Sequence, residues 1–416
     1  MFGKRSGSQG LRARRKALLS ASSGLQGAAN RKDHRPARPP TSLRFKVIAT
    51  LSVLSVLGGL AEGVSRYMGP QIPKLKGDNN NQVIMVSHPT RLWGMAPGVK
   101  NNAGVFSTIN EKGLRGQLPE AAREDGQERI LILGDSTFFG HGVEDDETLG
   151  AALERILQEE GHSVMVINGA IPGYSTEQVR LLLEEDGWDL DPTLLIVGCL
   201  WSDNNWDVFR DRDLLRTQNK FQNNPLSRSH FYRLLSGWID RVRGGDGARI
   251  ITWTRESEWP TVGQRRVSLQ RYAENLDAIA RQAAQRDIGV MFIRPVNVEV
   301  VSEKHFTGGF SWDPYIESQR RVAAFHDIPV VSAFPPFRDA YERFKNAPET
   351  ADKPMKELFL DRMHPTAFGL SLLASTVAER LESLSWPDNH LIGRTDGDFG
   401  LGGLPPDTWE QPRSEV

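Results

Sequence analysis

Ile130-Leu-Ile-Leu-Gly-Asp-Ser136 is a short apolar run that stops at a glycine, and its reading decides the fold. Four consecutive aliphatic residues are too few for a helix and show no alternation, which predicts a strand buried on both faces. Beyond it, Leu149, Ala152, Leu153, Ile156 and Leu157 recur at helical spacing, and Gly161 ends that helix. Val164-Met-Val-Ile167 and Leu194-Leu-Ile-Val197 repeat the buried-strand pattern. Leu269, Tyr272, Leu276, Ile279 and Ala283 form an amphipathic helix that leads into Gly289-Val-Met-Phe-Ile293. A further helix-like stretch precedes Ile328-Pro-Val-Val331, and Leu370, Leu373, Ala374, Val377 and Leu381 share a face of the last helix. Strands alternating with helices predict an α/β domain over residues 129–386, a parallel sheet flanked by helices on both faces. In such sheets ligands collect at the carboxyl ends of the strands. The Trp-, Arg- and Asn-rich stretch 205–262 breaks the rhythm and reads as an insertion or lid.

Upstream, Val47 to Ala61 is fifteen residues without a charge. With Phe45 included and Lys46 snorkelling, residues 45–61 reach the roughly 17-residue lower limit for a bilayer span. Residues 1–46 carry twelve Lys or Arg and one acid, Asp33, so the basic side stays cytoplasmic and the rest of the chain is expected outside. The expectation is a single-pass inner-membrane protein, N-terminus in, with the α/β domain periplasmic or extracellular. A cleaved signal peptide is the rival, since Gly59-Leu-Ala61 is a small-x-small site; the long leader opposes it. Residues 1–44 read as a basic disordered leader, 62–128 as a linker (polar over 69–82) and lead-in, and 387–416 as an irregular tail.

The formal net charge is −1 over 416 residues, so no global charge recruits nucleic acid. The single cysteine, Cys199, excludes a disulfide framework, and its apolar setting reads as a buried small hydrophobe.

The chemistry concentrates at two places. Ser136 follows Gly134 and Asp135 at a strand-to-loop junction, at the mouth of the sheet. Alone, Gly-Asp-Ser fits a turn or a helix cap, and the Gly-x-Ser-x-Gly elbow is absent. A nucleophilic serine needs a base and the base an orienting group. Asp361-Arg-Met-His364-Pro365 offers both, just ahead of the last helix, with Asp361 close enough to accept from the His364 ring. By itself Asp-x-x-His is a surface turn; with Gly-Asp-Ser at the other end of one α/β domain it becomes a Ser-His-Asp set. His141, in Phe138-Phe-Gly-His-Gly142, is a second histidine near the nucleophile with no evident acid partner, and reads as structural or solvent-facing. Phe138, Phe139, Trp201 and Trp206 either line an acyl or sugar pocket or pack loops on the sheet edge.

These segments resemble the SGNH/GDSL hydrolase superfamily over about residues 130–384. Ile130–Val143 resembles its first block, Val166–Thr176 its second, and Asp361–Pro365 with the following helix its last. The stretch Leu92-Trp-Gly-Met95 to Arg115 resembles the lead-in of membrane-anchored bacterial members. The resemblance implies a flavodoxin-like three-layer fold, ester hydrolysis, and an oxyanion hole built from the backbone N–H groups of Ser136 and Gly173. Gly169 is less well placed for that role. The third block departs from the family's Gly-x-Asn-Asp. Here the strand runs into Gly198-Cys-Leu-Trp-Ser202-Asp203-Asn204-Asn205, which leaves Asn204, the preferred choice, or Ser202 as side-chain donor. Oxygen ligands at Asp203, Asn204, Asn205 and Asp207 suit Ca²⁺ in type, but the glycine and distal Glu of a calcium loop are missing. No metal or organic cofactor is implied. The expected substrate is an ester-bearing small molecule or glycan, with an acetyl or short acyl group going to water. An O-acyltransferase with the same triad is the alternative, and a non-catalytic binding protein is opposed by the intact serine, base and acid.

Overall fold

The computed structural model describes residues 42–67, 85–119, 123–207, 209–222, 229, 231–232, 235, 264–303, 312–397 and 399–400. The leader to residue 41, the 69–82 linker, most of the 205–262 stretch and the tail from 401 lie outside the described residues.

Helix α1 (Leu43–Tyr67) is 25 residues long, against the 17 expected, because after Ala61 no proline stops propagation through Tyr67. At 1.5 Å per residue it extends about 37 Å, more than the roughly 30 Å of a bilayer core. Its most apolar window has a mean hydropathy of 1.8, and none of that window is buried within the protein. By length and composition it is long and apolar enough to cross a membrane.

From residue 64 the chain forms its second unit. Two antiparallel hairpins come first: β1 (Met85–His88) with β2 (Leu92–Met95), and β3 (Gly98–Asn102) with β4 (Val105–Ile109). The chain then reaches β5 (Glu128–Gly134), α2 (Ser136–Phe139), α3 (Leu149–Glu159), β6 (Val164–Asn168), α4 (Thr176–Leu182) and β7 (Leu194–Gly198). After α5 (Trp201–Asn204), β8 (Trp206–Asp207) and α6 (Asp211–Gln222), it returns through β9 (Gln264–Arg265), which pairs with β8. The remaining elements are α7 (Leu269–Ala284), β10 (Gly289–Arg294), α8 (Val298–Val301), α9 (Asp313–His326), β11 (Val330–Ser332), α10 (Phe334–Asn346), α11 (Pro354–Leu358) and α12 (Ala367–Ser383).

The sheet is parallel, in the order β11-β10-β7-β5-β6. The chain steps from β5 out to β6, then crosses back past β5 to β7, so the winding reverses between β5 and β7. That switch point is where an open α/β sheet leaves a crevice. Neighbouring strand residues point to opposite faces: Ile132 lies under Gly150 of α3, whereas Leu131 lies under Gly187. Helices therefore cover both faces, α3 packing with α12, and α4 and α9 each packing with α7. β5, β7 and β10 are almost wholly buried, as their uninterrupted aliphatic runs require. Expected helix positions Leu149, Ala152, Leu153 and Leu157, and Leu370, Leu373, Ala374, Val377 and Leu381, are buried. Of the expected tail, residues 390–391 lie along β10, where the Val290 N–H donates to the Leu391 carbonyl at 3.2 Å.

Candidate active site

The switch point places the ends of β5 and β7 side by side, Gly134 opposite Gly198. A side chain at either glycine would collide: a Cβ on Gly198 would come within 1.9 Å of Phe138, and one on Gly134 within 2.5 Å of the Gly198 carbonyl. The two glycines let Phe138 fold beneath the turn, so Ser136 emerges directly above the strand ends as the first residue of α2. Asp135 caps that helix, its Oδ1 accepting from the Thr137 N–H at 3.1 Å. Burial raises the Asp135 pKa, opposed by the Thr137 N–H and by the neighbouring His364 and Ser202. Phe138 and Phe139 are core residues, 1% and 0% exposed, so of their two readings packing holds and pocket lining does not. Trp201 is likewise packed edge-on against Trp312.

His364 reaches the same place from the far end of the chain. The Leu360 N–H donates to the His364 carbonyl at 2.8 Å, closing a tight loop ahead of α12. Inside it, Asp361 Oδ1 accepts from the N–H groups of Met363 and His364, at 2.8 and 2.9 Å. That local turn is why the two residues stand three apart. Asp361 Oδ2 meets His364 Nδ1 at 2.6 Å, and His364 Nε2 meets Ser136 Oγ at 2.8 Å. Burial raises the Asp361 pKa, but the His364 hydrogen bond and charge and the two backbone N–H groups outweigh it and hold the carboxyl well below the usual range. An ionised carboxylate can only accept, so Nδ1 carries the proton and Nε2 faces the serine as acceptor.

The second-block loop lies along the same edge. Gly173, at φ +77, allows a turn that any other residue would strain. Its peptide is fixed from two sides: Trp93 Nε1 donates to the Pro172 carbonyl at 3.1 Å, and Arg266 Nη2 to the Gly173 carbonyl at 2.9 Å. Arg266 also grips Asp211 through Nε and Nη2, at 3.0 and 2.7 Å, with both side chains fully buried. Ser175 Oγ donates to Asp211 Oδ2 at 2.6 Å. Asp211 and Arg266 stand at the two roots of the interrupting stretch, so one ion pair ties its ends together and to the Gly173 turn.

In the third block, Ser202 Oγ points at Asp135 Oδ2, 3.4 Å away, which brings it to the turn that carries Ser136. Two residues on, a helix has turned about 200°, so Asn204 leaves α5 from the opposite side. Asp203 sits between them, fully buried, with Oδ1 accepting from the Thr176 N–H and hydroxyl at 3.0 and 2.6 Å. Burial pushes its pKa up to about 8, the two Thr176 donors opposing this. Burial likewise pushes the Cys199 thiol up, consistent with an inert core position. Among the described residues, no group of three His, Cys, Asp or Glu side chains is placed to hold a metal ion.

Four supporting residues carry no signal in the sequence. Asn168 donates to the Phe138 and Phe139 carbonyls at the end of α2, at 3.2 and 3.3 Å. Arg115 and Asn102 hold the loop after α2, and Arg266 holds the Gly173 turn. Each acts on a carbonyl distant in sequence, a contact that no local pattern announces. Arg115 lies at the end of the lead-in match, whose likeness marks the segment but not this role.

No family model and no curated protein matches the chain. Among solved structures it is similar to an acetylxylan esterase from Geobacillus stearothermophilus, at 16% identity over 61% of this chain and 94% of that one, TM-score 0.41. It is also similar to an alpha/beta hydrolase from the Lake Arreo metagenome, at 16% identity over 62% and 96%, TM-score 0.40. A third is a lipase/acylhydrolase from Enterococcus faecalis, at 14% identity over 65% and 100%, TM-score 0.37.

Proposed function

We propose that the chain is a serine ester hydrolase of the SGNH/GDSL type, with Ser136 as nucleophile, His364 as general base and Asp361 as the group that orients it. The observation that carries this reading is the unbroken line from Asp361 Oδ2 through His364 to Ser136 Oγ, at 2.6 and 2.8 Å. In the first step Ser136 Oγ attacks the ester carbonyl while its proton passes to His364 Nε2, and Asp361 stabilises the resulting imidazolium. The tetrahedral oxyanion is received by the backbone N–H groups of Ser136 and Gly173. The side-chain donor is Asn204, the preferred choice, or Ser202, whose single hydroxyl proton is directed at Asp135 Oδ2. The C–O bond to the alcohol then breaks, and the alcohol leaves with the proton from His364. Water attacks the acyl-enzyme with His364 again as base, releasing the acid and restoring the Ser136 hydroxyl.

An acetyl or short acyl ester on a cell-envelope glycan suits a catalytic domain held outside the membrane by α1. The basic leader gives that helix its N-in orientation. Fluorophosphonate labelling of the wild type, lost in Ser136→Ala, is the expected result. A folded wild type that takes no label refutes the enzyme reading. Free acetate released, against acetyl transferred to an added glycan, then separates hydrolase from O-acyltransferase. A mature protein beginning at Glu62 would replace the anchor with a cleaved signal peptide.

A further inference from the structure

The imidazole of His141 lies at the site and has no part in that mechanism. His141 follows α2 in Gly140-His141-Gly142, where both glycines have positive φ, +84 and +79. Side chains from far upstream fix the shape of this loop. Asn102, at the end of β3 and fully buried, donates through Nδ2 to the Gly140 carbonyl at 3.0 Å and accepts from the Gly142 N–H at 3.2 Å. The Arg115 guanidinium donates to the Phe139, Gly140 and Val143 carbonyls at 2.9, 2.6 and 2.7 Å, and pairs with Asp145 at 2.8 Å. The His141 N–H donates to the Ser136 carbonyl at 3.1 Å. Two buried polar side chains thus hold one four-residue loop, and the result is the position of one ring. The His141 imidazole lies 4.3 Å from that of His364, centroid to centroid, with the planes tilted by 40°.

We propose that His141 is a positioning residue for His364: its ring lies against the imidazole and keeps Nε2 in line with Ser136 Oγ. The proposal rests on the role of His364 as base. The His364 ring is held at Nδ1 by Asp361 and at Nε2 by Ser136, whose Oγ leaves that bond when it attacks. Torsions to flat rings are broad, so during turnover the Asp361 bond alone does not define the ring plane. A second ring packed at aromatic contact distance does. His141 is suited to this only while neutral, because a cation there would oppose the imidazolium formed in each turnover. Burial and the neighbouring His364 lower its pKa to about 4, with Asp361 acting upward and Arg115 downward. The charged groups acting on the pair are therefore Asp361, Asp135 and Arg115. His141 does not serve as a second base in this arrangement. Among the described residues its ring nitrogens have no hydrogen-bond partner, and Asp361 Oδ2 is taken by His364.

The test compares His141→Ala, which removes the ring, with His141→Phe, which keeps a flat ring without nitrogens. Full-length protein in detergent is assayed with p-nitrophenyl acetate, and the His364 ring is followed by imidazole ¹⁵N and Nδ1-proton NMR. His141→Ala is expected to lower kcat about tenfold with KM within twofold, as expected for a misplaced base. Its His364 Nδ1 proton should broaden. His141→Phe should restore kcat to within about threefold of wild type, and the Nδ1 signal with it. An unchanged kcat and Nδ1 signal in His141→Ala overturns the proposal. So does a His141→Phe as impaired as His141→Ala, which would mean that a nitrogen is needed. Labelling that survives in His364→Ala but not in His141→Ala would make His141 the base. If the wild type takes no fluorophosphonate at all, the hydrolase reading falls, and the NMR comparison still reports whether His141 holds the His364 ring.

Discussion

Replacing the buried pair Asp211–Arg266 separates what it does for stability from what it does for the proposed oxyanion site. Both side chains are fully buried, and Arg266 Nη2 divides its hydrogen bonds between Asp211 at 2.7 Å and the Gly173 carbonyl at 2.9 Å. Removing one partner strands a buried charge, at a cost of about 3–5 kcal/mol, so Arg266→Met and Asp211→Leu should each be severely destabilised. Removing both exchanges an ion pair for apolar packing, which is commonly neutral or stabilising, so the double variant should recover most of that loss. It should not recover activity. Without Arg266 the Gly173 carbonyl loses its donor, and the N–H on the other side of that residue is held only by the Trp93 bond to the Pro172 carbonyl. A whole oxyanion donor is worth roughly 10²–10³ in rate. A loosened one should cost about 10–100-fold in kcat, within that ceiling. Urea unfolding followed by tryptophan fluorescence gives the stabilities, and kcat on p-nitrophenyl acetate gives the rates. A double variant that regains both stability and rate refutes the reasoning, since the pair would then be structural only.

Three further outcomes follow from the same geometry. Asp361→Asn should keep the turn, because an amide oxygen still accepts from Met363 and His364, yet lose about 10³–10⁴ in kcat, comparing initial rates with the melting temperature. The depressed Asp361 pKa contributes stability that is present above the unfolded value of about 3.9 and lost as pH falls through the lower folded value, so the variant's melting temperature should fall less steeply below pH 4. Asp203→Asn should act with the opposite sign. The folded pKa of about 8 lies above the unfolded one, so stability present below pH ~3.9 is lost as pH rises toward 8. The variant should melt higher than wild type at pH 8 and alike at pH 3.5; equal melting at both would place the ionised form in a better environment than burial allows. Gly198→Ala must displace Phe138, whose ring would lie 1.9 Å from the new Cβ. It should cost about 1–3 kcal/mol in urea unfolding and reduce kcat, with Phe138→Leu restoring part of both.

The fold was legible because its signals are local. β5, β7 and β10 are buried runs of five or six residues, and α3 and α12 carry their apolar faces at helical spacing. The meeting of Ser136 with His364 was legible for a related reason: each lies beside a recognisable element, and Asp361 is tied to His364 by a turn three residues long. The third block was less so, because a choice between Ser202 and Asn204 depends on which way a four-residue helix faces, and composition does not encode that. His141 was visible as a histidine five residues after Ser136. Its ring contact was not, since it follows from Asn102 and Arg115 bending a loop some 25–40 residues downstream.

Those distant contacts give the lead-in segment a chemical task. Ile109, Arg115 and Asn168 bridge one to the next, so residues 109–115 add to the β6 edge beside the second-block loop. From that edge Arg115 and Asn102 fix the loop that carries His141, while Trp93 fixes the Pro172 carbonyl beside Gly173. A buried carbonyl without a donor is costly, so once strand and helix ladders end, other groups must supply one. At the switch point three loops leave the sheet together and their carbonyls exceed what their own backbones can satisfy. Arg115 answers three of these carbonyls with one guanidinium whose fork is rigid and always charged, a geometry that a lysine does not reproduce. The lead-in is therefore part of the candidate site: it supplies the donors that let an irregular surface hold Ser136, His364 and His141 in one fixed arrangement.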